Sequence, residues 1–586
     1  MLLHHSSYRI TYILLAIFLI TLSLSIPPLQ SPDEGAHIKR AYTASQGKIT
    51  LETPLGKSSG GNIDTGLIDY LTTFDSLPFK PNSTLSRDDY LSSKKLNWTY
   101  SESFSEMPGT GFYFPAIYTP QALAFITGQK LGLHIDQSYR LARIFNILAS
   151  LAILAVAIQT LSPPPLVIAL LILPMSLFQF MSASIDGVST ALTVLAISLF
   201  ISIYKRETPP ACKDIVFLST VLLIICTSRA QLSPLLILLL IIAISYRSLS
   251  AFISFATSSF ITLAWTFFTI THTIDNRVTR ELSTAQIAAE YIHTPLSYCK
   301  ILLKTVSTPE NYYFYGRSFL GILGYLDTPL TNSTYIVLSS LLLVIALLSI
   351  SWLRNERHVQ SSIILVALST STILLIFFAL AISWTPYPTE VIQGVQGRYF
   401  IASAIILAYG LSPKGFRWRS AQGVIASIAL LFLFTFSIYK TNEALLMRYF
   451  MRTDLTELQR KPSSLLSPDS SIDLSLLNVP NSSITPPTSV SVQFATYRNT
   501  LSGTAKLTFY NAEKPVQSEY IDLSTIKDNE YHKFNLPPQP ITNIKITSDT
   551  EISLSTWQVS GAQSHAPQTC IIYKYQSGRT WRTPGC

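Results

Sequence analysis

Two adjacent carboxylates, Asp33 and Glu34, follow the first apolar stretch of the chain. A carboxylate can accept the proton of a hydroxyl group, and an arginine can bind a phosphate through paired hydrogen bonds. On a helix, Asp33, His37 and Arg40 would share one face, because their spacing is i, i+4 and i+7. The side chains of Asp33 and Glu34 would point about 100° apart, so they would not act as a matched acid and base across one bond.

The same residues have a plainer interpretation as the start of a helix. Ser31 can cap a helix, Pro32 suits its first position, and Glu34 completes an S-x-x-E capping box. The choice between a chemical site and a simple helix start depends on what the rest of the chain places beside these residues.

The composition is that of a membrane protein with several spans. Of the 586 residues, 48% are hydrophobic and 13% are charged, which excludes a single soluble globular domain. The net charge of +9 does not indicate nucleic-acid binding, since Lys and Arg fall in short clusters between apolar runs. Signatures of nucleotide hydrolases, dehydrogenases and common hydrolases are absent from the sequence.

Runs of about 20 apolar residues predict the membrane helices. We expect about eleven such helices, near 10–28, 139–161, 165–183, 187–204, 214–228, 232–246, 249–271, 333–353, 360–384, 399–412 and 420–440. The segment 112–133 is ambiguous, because it could be a further span or an interfacial or re-entrant helix. The first run is longer than a usual signal-peptide core and has no clear cleavage site, which favours a retained anchor.

Positive charges determine the orientation. If 112–133 does not cross the membrane, every short cluster of Lys and Arg lies in the cytoplasm with the N-terminus, as the positive-inside rule requires. These clusters are Lys205, Arg206 and Lys213, then Arg247, then Arg354 and Arg357, and finally Lys414, Arg417 and Arg419. In this orientation the C-terminus lies outside.

The same orientation places a second set of charged residues at the outer face. They are Asp33, Glu34, His37, Arg40, Arg140, Arg143, Asp186, Arg229, Arg317, Asp327 and Arg398. Their convergence on one side indicates a site, although Arg143 alone would be expected to anchor its helix at the interface. The helical domain would cover 1–450, with long outer loops at about 30–136 and 272–332 and a short one at 384–400.

The chain changes character after the last predicted span. The segments 489–497, 505–511, 542–548 and 552–559 alternate apolar and polar residues. We therefore expect an all-β sandwich domain over 451–586, which could bind glycan or brace the loops. Cys570 and Cys586 could form a disulfide in an oxidising compartment, and the five cysteines of the chain have no zinc-type spacing.

Five segments carry a resemblance to a known family. They are PDEGAH (32–37), FYFPAIYTPQALAFITGQKLGL (112–133), SASID (182–186), SFLGILGYLDTPL (318–330) and GVQGRYF (394–400). In this order they resemble an uncharacterised bacterial family of polytopic membrane proteins, a domain of unknown function grouped with the GT-C glycosyltransferases. The resemblance covers about 8–450. The carboxylate pair also looks like that of protein O-mannosyltransferases, whereas the W-W-D motif of oligosaccharyltransferases is absent.

The resemblance implies an enzyme of the bacterial inner membrane that transfers a sugar from a polyprenyl-phosphate donor to a cell-envelope glycan, lipid or protein acceptor on the periplasmic side. GT-C enzymes usually have their catalytic acidic residue just after the first span, where Asp33 and Glu34 stand. We expect Asp33 to be the base of an inverting displacement and Glu34 to orient Asp33 or the acceptor. Partial desolvation beside a bilayer would raise the pKa of Asp33.

A second group of residues would bind the substrates. Guanidinium groups suit phosphate oxygens, so Arg398 is the first candidate for the departing phosphate. The full candidate set is His37, Arg40, Arg140, Asp186, Arg229, Arg317, Asp327, Gln396, Arg398 and Tyr399. His37 could instead make a structural hydrogen bond, or ligate a divalent cation with Asp33. Only some GT-C enzymes need such a cation, and no other cofactor is expected.

Three other functions stay open at this point. A lipid-linked polysaccharide polymerase or ligase would use the same chemistry on a larger donor. A transporter or flippase of lipid-linked sugars would usually have internal repeats and broken helices, and the sequence has no convincing repeat. A ligand-binding envelope sensor would leave the carboxylate pair unexplained. The sequence identifies neither the sugar nor the acceptor.

Overall fold

Apolar runs in the first three quarters of the chain fold as helices, the form in which a backbone satisfies its own hydrogen bonds within lipid. The structure is a computed structural model. It describes residues 2–80, 83, 85–278, 280–350, 356–412, 416, 418, 420–450, 459–475, 487–539, 541–560, 568–575 and 580–583. Outside these ranges lie the predicted cytoplasmic residues Arg354, Lys414, Arg417 and Arg419 and the predicted disulfide residue Cys586.

The α-helices run from the N-terminus to residue 449. In chain order they are α1 Leu2–Ser25, α2 Glu34–Ser45, α3 Thr65–Thr73, α4 Arg87–Ser93, α5 Thr119–Lys130, α6 Ile135–Thr160, α7 Pro165–Leu171, α8 Pro174–Met181, α9 Asp186–Tyr204, α10 Cys212–Ser228, α11 Ile237–Tyr246, α12 Leu249–His272, α13 Thr284–His293, α14 Pro295–Ser307, α15 Pro309–Gly321, α16 Asn332–Ser349, α17 Glu356–Ser383, α18 Ile401–Leu411 and α19 Ala421–Tyr449. Short 3-10 helices are η1 Pro108–Thr110, η2 Pro115–Tyr118, η3 Ala230–Leu236, η4 Gly397–Phe400 and η5 Leu523–Thr525.

Within the described residues, six helices are long and apolar enough to cross a membrane, namely α6, α9, α12, α16, most of α17, and α19. Shorter apolar helices are Ile13–Ser25, Ala230–Tyr246 and Gly397–Leu411. Each predicted span overlaps a helix or a pair of helices. The predicted membrane character is therefore confirmed, whereas the number of about eleven spans stays a prediction.

Two predicted helical segments differ from uninterrupted spans. The segment 165–183 divides into α7 and α8, because Leu173 precedes Pro174 and takes an extended conformation. The ambiguous segment 112–133 forms η2 and the 12-residue α5. A helix of that length is about 18 Å long, which is short of the hydrocarbon thickness of ~30 Å. This length favours a segment that does not cross.

Two compact units make up the chain. The first contains Met1–Ile63, Glu102–Leu133 and Ser138–Leu446. Helix α9 is its central helix. Of the 18-residue apolar stretch of α9, 94% is buried, against 17% for the corresponding stretch of α12. The second unit contains Asp64–Ser101, His134–Gln137 and Met447–Cys586. Part of the first long loop therefore belongs to the same unit as the C-terminal region. The sequence alone predicts that the whole of this loop belongs to the helical domain.

Polar contacts stabilise the loop segment of the second unit. The Asp64 carboxylate accepts hydrogen bonds from Gly66 and Leu67 at the start of α3, and from the backbone of Tyr100 at 2.7 Å. Later in the chain, Arg448 donates to the carbonyls of Leu77, Lys80 and Ser83. Two elements far apart in the sequence are thereby joined through backbone acceptors that no sequence pattern reveals.

The C-terminal region consists of β-sheets, as predicted. Its strands are β5 Gln459–Pro462, β6 Ile472–Ser475, β7 Pro487–Ala495, β8 Thr504–Asn511, β9 Lys514–Asp522, β10 Tyr531–Asn535, β11 Asn543–Thr547, β12 Ser555–Ser560, β13 Gln568–Thr569, β14 Ile571–Tyr575 and β15 Thr580–Arg582. Four short strands, β1 Gly60–Asp64, β2 Glu102–Glu106, β3 Ile322–Leu323 and β4 Thr328–Pro329, form two two-stranded sheets, β1-β2 and β3-β4, earlier in the chain.

Strand β7 organises the larger of the two C-terminal sheets, since it pairs antiparallel with β10, β12 and β14. The smaller sheet has the order β6-β11-β8-β9. Val490, Val492 and Phe494 alternate along β7 and pack in one apolar core with Phe509 and Ile544 of the smaller sheet. Cys570, beside this core, is disulfide-bonded.

Candidate functional site

Four charged side chains from four element ends meet in the first unit. Asp33 is the N-cap of α2, and Asp186 is the first residue of α9. Arg229 lies between α10 and η3, and Arg398 lies in η4, just before α18. Element ends leave room for such side chains, because the backbone there turns away from the helix axis. We call these four residues the charged cluster.

Arg398 is the centre of the charged cluster. Its Nη2 donates to Asp33 Oδ2 at 2.7 Å, and its Nη1 donates to Asp186 Oδ2 at 2.8 Å. The other carboxylate oxygen of Asp186 accepts a hydrogen bond from Arg229. Asp186 therefore bridges two guanidinium groups, and Asp33 binds one of them from the other side.

Exposure divides the charged cluster into a sealed part and an open part. The Arg398 side chain is 3% exposed and that of Asp186 is 8% exposed. The Asp33 side chain is 52% exposed. A reactant that arrives from solvent or lipid can therefore reach the Asp33 carboxylate first, and it can reach Arg398 by replacing that carboxylate.

The turn that carries Arg398 is tightly packed. Gln396 accepts a hydrogen bond from Arg398 Nε at 2.6 Å, and the guanidinium lies 5.0 Å from the centre of the Tyr399 ring. Gly397 donates its N–H to Ser318 Oγ at 2.8 Å. A Cβ at Gly397 would lie 2.0 Å from the carbonyl oxygen of Tyr315, so only glycine allows this approach.

Helix α2 begins at Glu34, two residues later than the capping-box pattern predicts. Asp33 is the N-cap, with a left-handed backbone at φ 61°, and its side chain makes no capping hydrogen bond. Half of the predicted box is present, because Glu34 accepts from the Ser31 N–H at 3.4 Å. Because the Asp33 carboxylate does not cap α2, it is available to accept a hydrogen bond from Arg398. The start of α2 is therefore part of the charged cluster.

Glu34 points into the protein. Arg143 Nε and Nη2 donate to its two oxygens at 2.9 and 2.8 Å, and the Ala183 N–H donates at 2.7 Å. The side chains of Glu34 and Arg143 are 0% and 1% exposed, so Arg143 is a buried partner and not an interface anchor. Glu34 can therefore orient Asp33 through the backbone, but an acceptor cannot contact it.

Two polar residues within apolar segments position the turn before Asp186. Asn146 donates to the carbonyls of Ser182 and Ser184, and Gln121 donates to Asn146 at 2.9 Å and to Ala183 at 3.1 Å. Neither residue belongs to the predicted site. Their polarity inside α5 and α6 was the available signal, because buried amides in membrane proteins require partners.

His37 lies beside the charged cluster in a shell of aromatic rings. Its Nδ1 is 2.7 Å from the Tyr118 hydroxyl, and its ring stacks on Tyr113 with 6.0 Å between centroids. The Arg229 guanidinium lies over the same Tyr113 ring at 5.3 Å. Burial lowers the pKa of His37 to about 3, with Arg229 and Arg398 acting in the same direction. His37 is therefore neutral at physiological pH.

Asp33 has a lower pKa than expected from its position. Desolvation opposes its ionisation, as the sequence suggested, but the charge and hydrogen bond of Arg398, together with the interactions of His37 and Arg277, keep the pKa of Asp33 below the ordinary value. The expected rise in pKa is therefore wrong for the residue as it is paired here. A carboxylate bound to a guanidinium is a weak proton acceptor until that contact is broken.

A small cavity of about 30 Å³ adjoins the charged cluster. Its lining consists of Gln179, Asp186, Ser189, Thr190, Arg229, Gln231, Leu232, Arg398, Tyr399 and Ala402. That volume suits one or two water molecules and excludes a sugar ring. Across the part of the chain that the structure describes, no group of three or more His, Cys, Asp or Glu side chains could hold a metal ion.

A family described as a predicted membrane protein, DUF2142, matches residues 15–407. The chain belongs to this family. Neither a curated protein nor a solved structure matches the chain. The DUF2142 match contains all four residues of the charged cluster and ends before the C-terminal sheets, so family membership concerns the helical region.

The remaining predicted site residues of this DUF2142 member lie apart from Arg398. Arg40 is fully buried and donates to the carbonyl of Ile49 at 2.5 Å. Arg140 donates to the Leu24 carbonyl at 3.2 Å, at the end of α1. Arg317 donates to Asn332 and lies over the rings of Tyr313 and Tyr335. Asp327 accepts from Tyr325 and Thr328 in the turn between β3 and β4.

Proposed function

We propose that this protein is a GT-C-type glycosyltransferase, which transfers a sugar from a polyprenyl-phosphate donor to a cell-envelope acceptor. The observation that supports this most is the contact between a buried arginine, Arg398, and a half-exposed carboxylate, Asp33. Phosphate release requires positive charge, and attack by a hydroxyl requires a base. Both groups stand within one hydrogen bond of each other.

In this proposal the donor phosphate binds Arg398 in place of the Asp33 carboxylate. Arg398 stays bound to Asp186 through its other Nη group, and Asp186 stays bound to Arg229. The two guanidinium groups then face one phosphate and one carboxylate, which balances their charge better than two carboxylates together with a phosphate would. The half-exposed Asp33 is the partner that can leave.

The released carboxylate can then act as the base. Arg398 is the main positive charge that lowers the pKa of Asp33, so the shift of that charge to a phosphate raises the pKa again. The acceptor hydroxyl gives its proton to Asp33, its oxygen bonds to the anomeric carbon, and the bond from that carbon to the phosphate oxygen breaks. The electron pair leaves with the polyprenyl phosphate, and the anomeric centre inverts.

The proposed location is the inner membrane of a bacterium, with several spans, a cytoplasmic N-terminus and periplasmic C-terminal sheets. The positive-inside rule supports this orientation, because Lys205, Arg206 and Lys213 stand at the connection between the apolar helices α9 and α10. The charged cluster would then lie at the periplasmic side, where flipped polyprenyl-phosphate sugars are available.

The test is transfer by purified protein from a panel of polyprenyl-phosphate sugars to cell-envelope acceptors. We expect wild type to release polyprenyl phosphate, and Asp33→Asn to lower the rate by about 10²–10⁴-fold, because a general base contributes that much. Circular dichroism and thermal stability of Asp33→Asn should match wild type. Full activity in Asp33→Asn would exclude Asp33 as the base, and no turnover with any donor would contradict the proposal.

A transporter or flippase of lipid-linked sugars is a second candidate. The divided helices α7 and α8, and the 3-10 helix η3 between α10 and α11, favour it, because transporters often have interrupted helices near the substrate. Movement of a fluorescent polyprenyl-phosphate sugar across proteoliposomes, without release of polyprenyl phosphate, would support this function over transfer. A polymerase or ligase would instead release the lipid from a longer donor.

A further inference from the structure

Helix α14 has two apolar faces, and the protein covers one of them. Tyr298, Ile301 and Leu302 pack in a core that also contains Phe377 and Tyr387. On the opposite side, Leu296 is 78% exposed and Leu303 is 65% exposed. Positions 296, 299, 303 and 306 follow helical spacing, so Leu296, Cys299, Leu303 and Val306 form one outward stripe. We call it the α14 stripe.

The ends of neighbouring helices extend the α14 stripe. Ile292 of α13 is 68% exposed, and Tyr312 and Tyr313 at the start of α15 are more than half exposed. Lys300 is exposed beside the stripe and has no ion-pair partner within the described residues. Apolar residues with tyrosines and lysines at their edge are typical of helices that lie in a membrane surface.

The place of α14 in the chain indicates what covers the stripe. Helices α13, α14 and α15 connect two candidate membrane spans, α12 and α16. Most residues of both spans are not buried by the rest of the protein. In α12, the side chains of Phe260 and Phe267 are each 73% exposed. Helix α14 has 13 residues, or about 20 Å, and cannot cross a hydrocarbon core of ~30 Å. Its exposed leucines therefore match the surface of the same bilayer that the spans enter.

The same helices fix the turn that carries Arg398. Thr305 of α14 accepts a hydrogen bond from the Ile392 N–H at 2.8 Å. Ser318 of α15 accepts one from Gly397 at 2.8 Å. The two contacts anchor both ends of the segment that leads to Arg398. A lipid surface under α14 would therefore determine the height of this arginine relative to the headgroups.

We propose that the α14 stripe docks on the lipid surface of the membrane and positions the Arg398 turn at the level of the phospholipid headgroups. The occupant is the bilayer itself, not a second copy of the chain or a soluble partner. This inference does not depend on the proposed glycosyl transfer, because it concerns only the surface that the stripe contacts.

Cys299 provides a native probe at the centre of the α14 stripe, since it is exposed and free. The full chain with Cys212→Ser leaves Cys226 buried, so an NBD fluorophore would react at Cys299. The labelled protein is reconstituted in phosphatidylcholine and phosphatidylglycerol vesicles that contain lipid with a shallow doxyl group. We expect strong quenching by the doxyl lipid, a blue-shifted emission, and little quenching by aqueous iodide.

Two variants of the labelled protein make the result specific. Leu303→Glu places a charge in the stripe, and we expect doxyl quenching to fall by about half. Ser297→Glu adds the same charge to an exposed position beside the stripe, and quenching should stay near its starting value. Iodide quenching like that of free fluorophore would overturn the proposal. Protection from both quenchers would also overturn it, because a protein partner would then cover α14.

Discussion

Asp33 and Glu34 are neighbours in the chain, and each pairs with an arginine of a distant segment, but the two ion pairs differ in access. The pair of Glu34 and Arg143 is sealed, whereas the carboxylate of Asp33 is half exposed above a buried Arg398. A sealed pair fixes α2 in place and cannot exchange partners without a large cost. A half-open pair can exchange its carboxylate for another anion. Exposure, and not residue type, separates the structural pair from the chemical one.

The largest effect should come from breaking the sealed pair. Arg143→Met would leave Glu34 buried without its cation, and we expect the protein to lose about 3–5 kcal/mol of stability. The double variant Arg143→Met with Glu34→Gln should recover part of the loss, because the buried charge is then gone. Thermal unfolding of the detergent-solubilised chain measures both. If Asp33→Asn were as destabilising as Arg143→Met, the distinction between the two pairs would be wrong.

The next largest effect should come from replacing Arg398, whose two Nη groups donate to two different carboxylates. Arg398→Ala should lower kcat/KM for the donor by about 10²–10³-fold, whereas Arg398→Lys should lower it by about tenfold, because lysine keeps the charge and loses the paired geometry. Arg317→Ala is the matched control, since Arg317 contacts Asn332 and two tyrosines. Equal losses from Arg398→Ala and Arg398→Lys would indicate a packing role.

The third prediction concerns how His37, which is buried beside the charged cluster, makes the stability of the protein depend on pH. Its folded pKa of about 3 is below the ordinary 6.5, chiefly because of burial. Below pH 6.5 the unfolded chain binds a proton that the folded chain does not, so stability falls as the pH drops from 6.5, by at most about 1.4 kcal/mol per pH unit. His37→Gln should remove this part of the slope between pH 7 and 5. Parallel melting-temperature profiles for wild type and variant would contradict this.

The smallest effect tests the exchange at Arg398 directly. If phosphate and the Asp33 carboxylate compete for the guanidinium, Asp33→Asn should bind polyprenyl phosphate about threefold more tightly, a small gain because solvent screens the half-exposed pair. Titration of fluorescent polyprenyl phosphate into purified protein measures this affinity. Arg398→Ala is the control, and it should bind the lipid more weakly than wild type. Weaker binding by Asp33→Asn would show that Asp33 does not compete. No binding to wild type would instead reject the proposed donor.

Several features of the fold and site were predictable because they depend on local properties. Apolar runs of sufficient length gave the helical segments, and alternation gave strands β7, β8, β11 and β12. The assignment of Asp33, Asp186 and Arg398 to the same outer face suggested that they belong together, and they do meet. Arg229 also joins them. Arg40, Arg140, Arg317 and Asp327 carry the same kind of charge in the sequence and make other contacts.

The failures have a common physical reason. Arg143 looked like an interface anchor because helix ends often have one, and only the folded chain shows that Arg143 is buried in an ion pair with Glu34. Gln121 and Asn146 donate to backbone carbonyls of the turn 182–186. Every residue has such a carbonyl, so the sequence does not reveal which ones these amides bind. The pKa of Asp33 falls and does not rise, because desolvation is opposed by the combined effect of Arg398, His37 and Arg277, which only the folded chain brings near Asp33.

The sequence by itself determined that this chain is a helical membrane protein with a C-terminal β region, because hydropathy and alternation are properties of short segments. Tertiary structure alone decided which of two adjacent carboxylates is sealed and which can exchange partners. That choice depends on contacts between Asp33 and Arg398, 365 residues apart, and between Glu34 and Arg143, 109 residues apart. Electrostatic and hydrogen-bond energies fall steeply with distance in space, and separation along the chain does not set that distance.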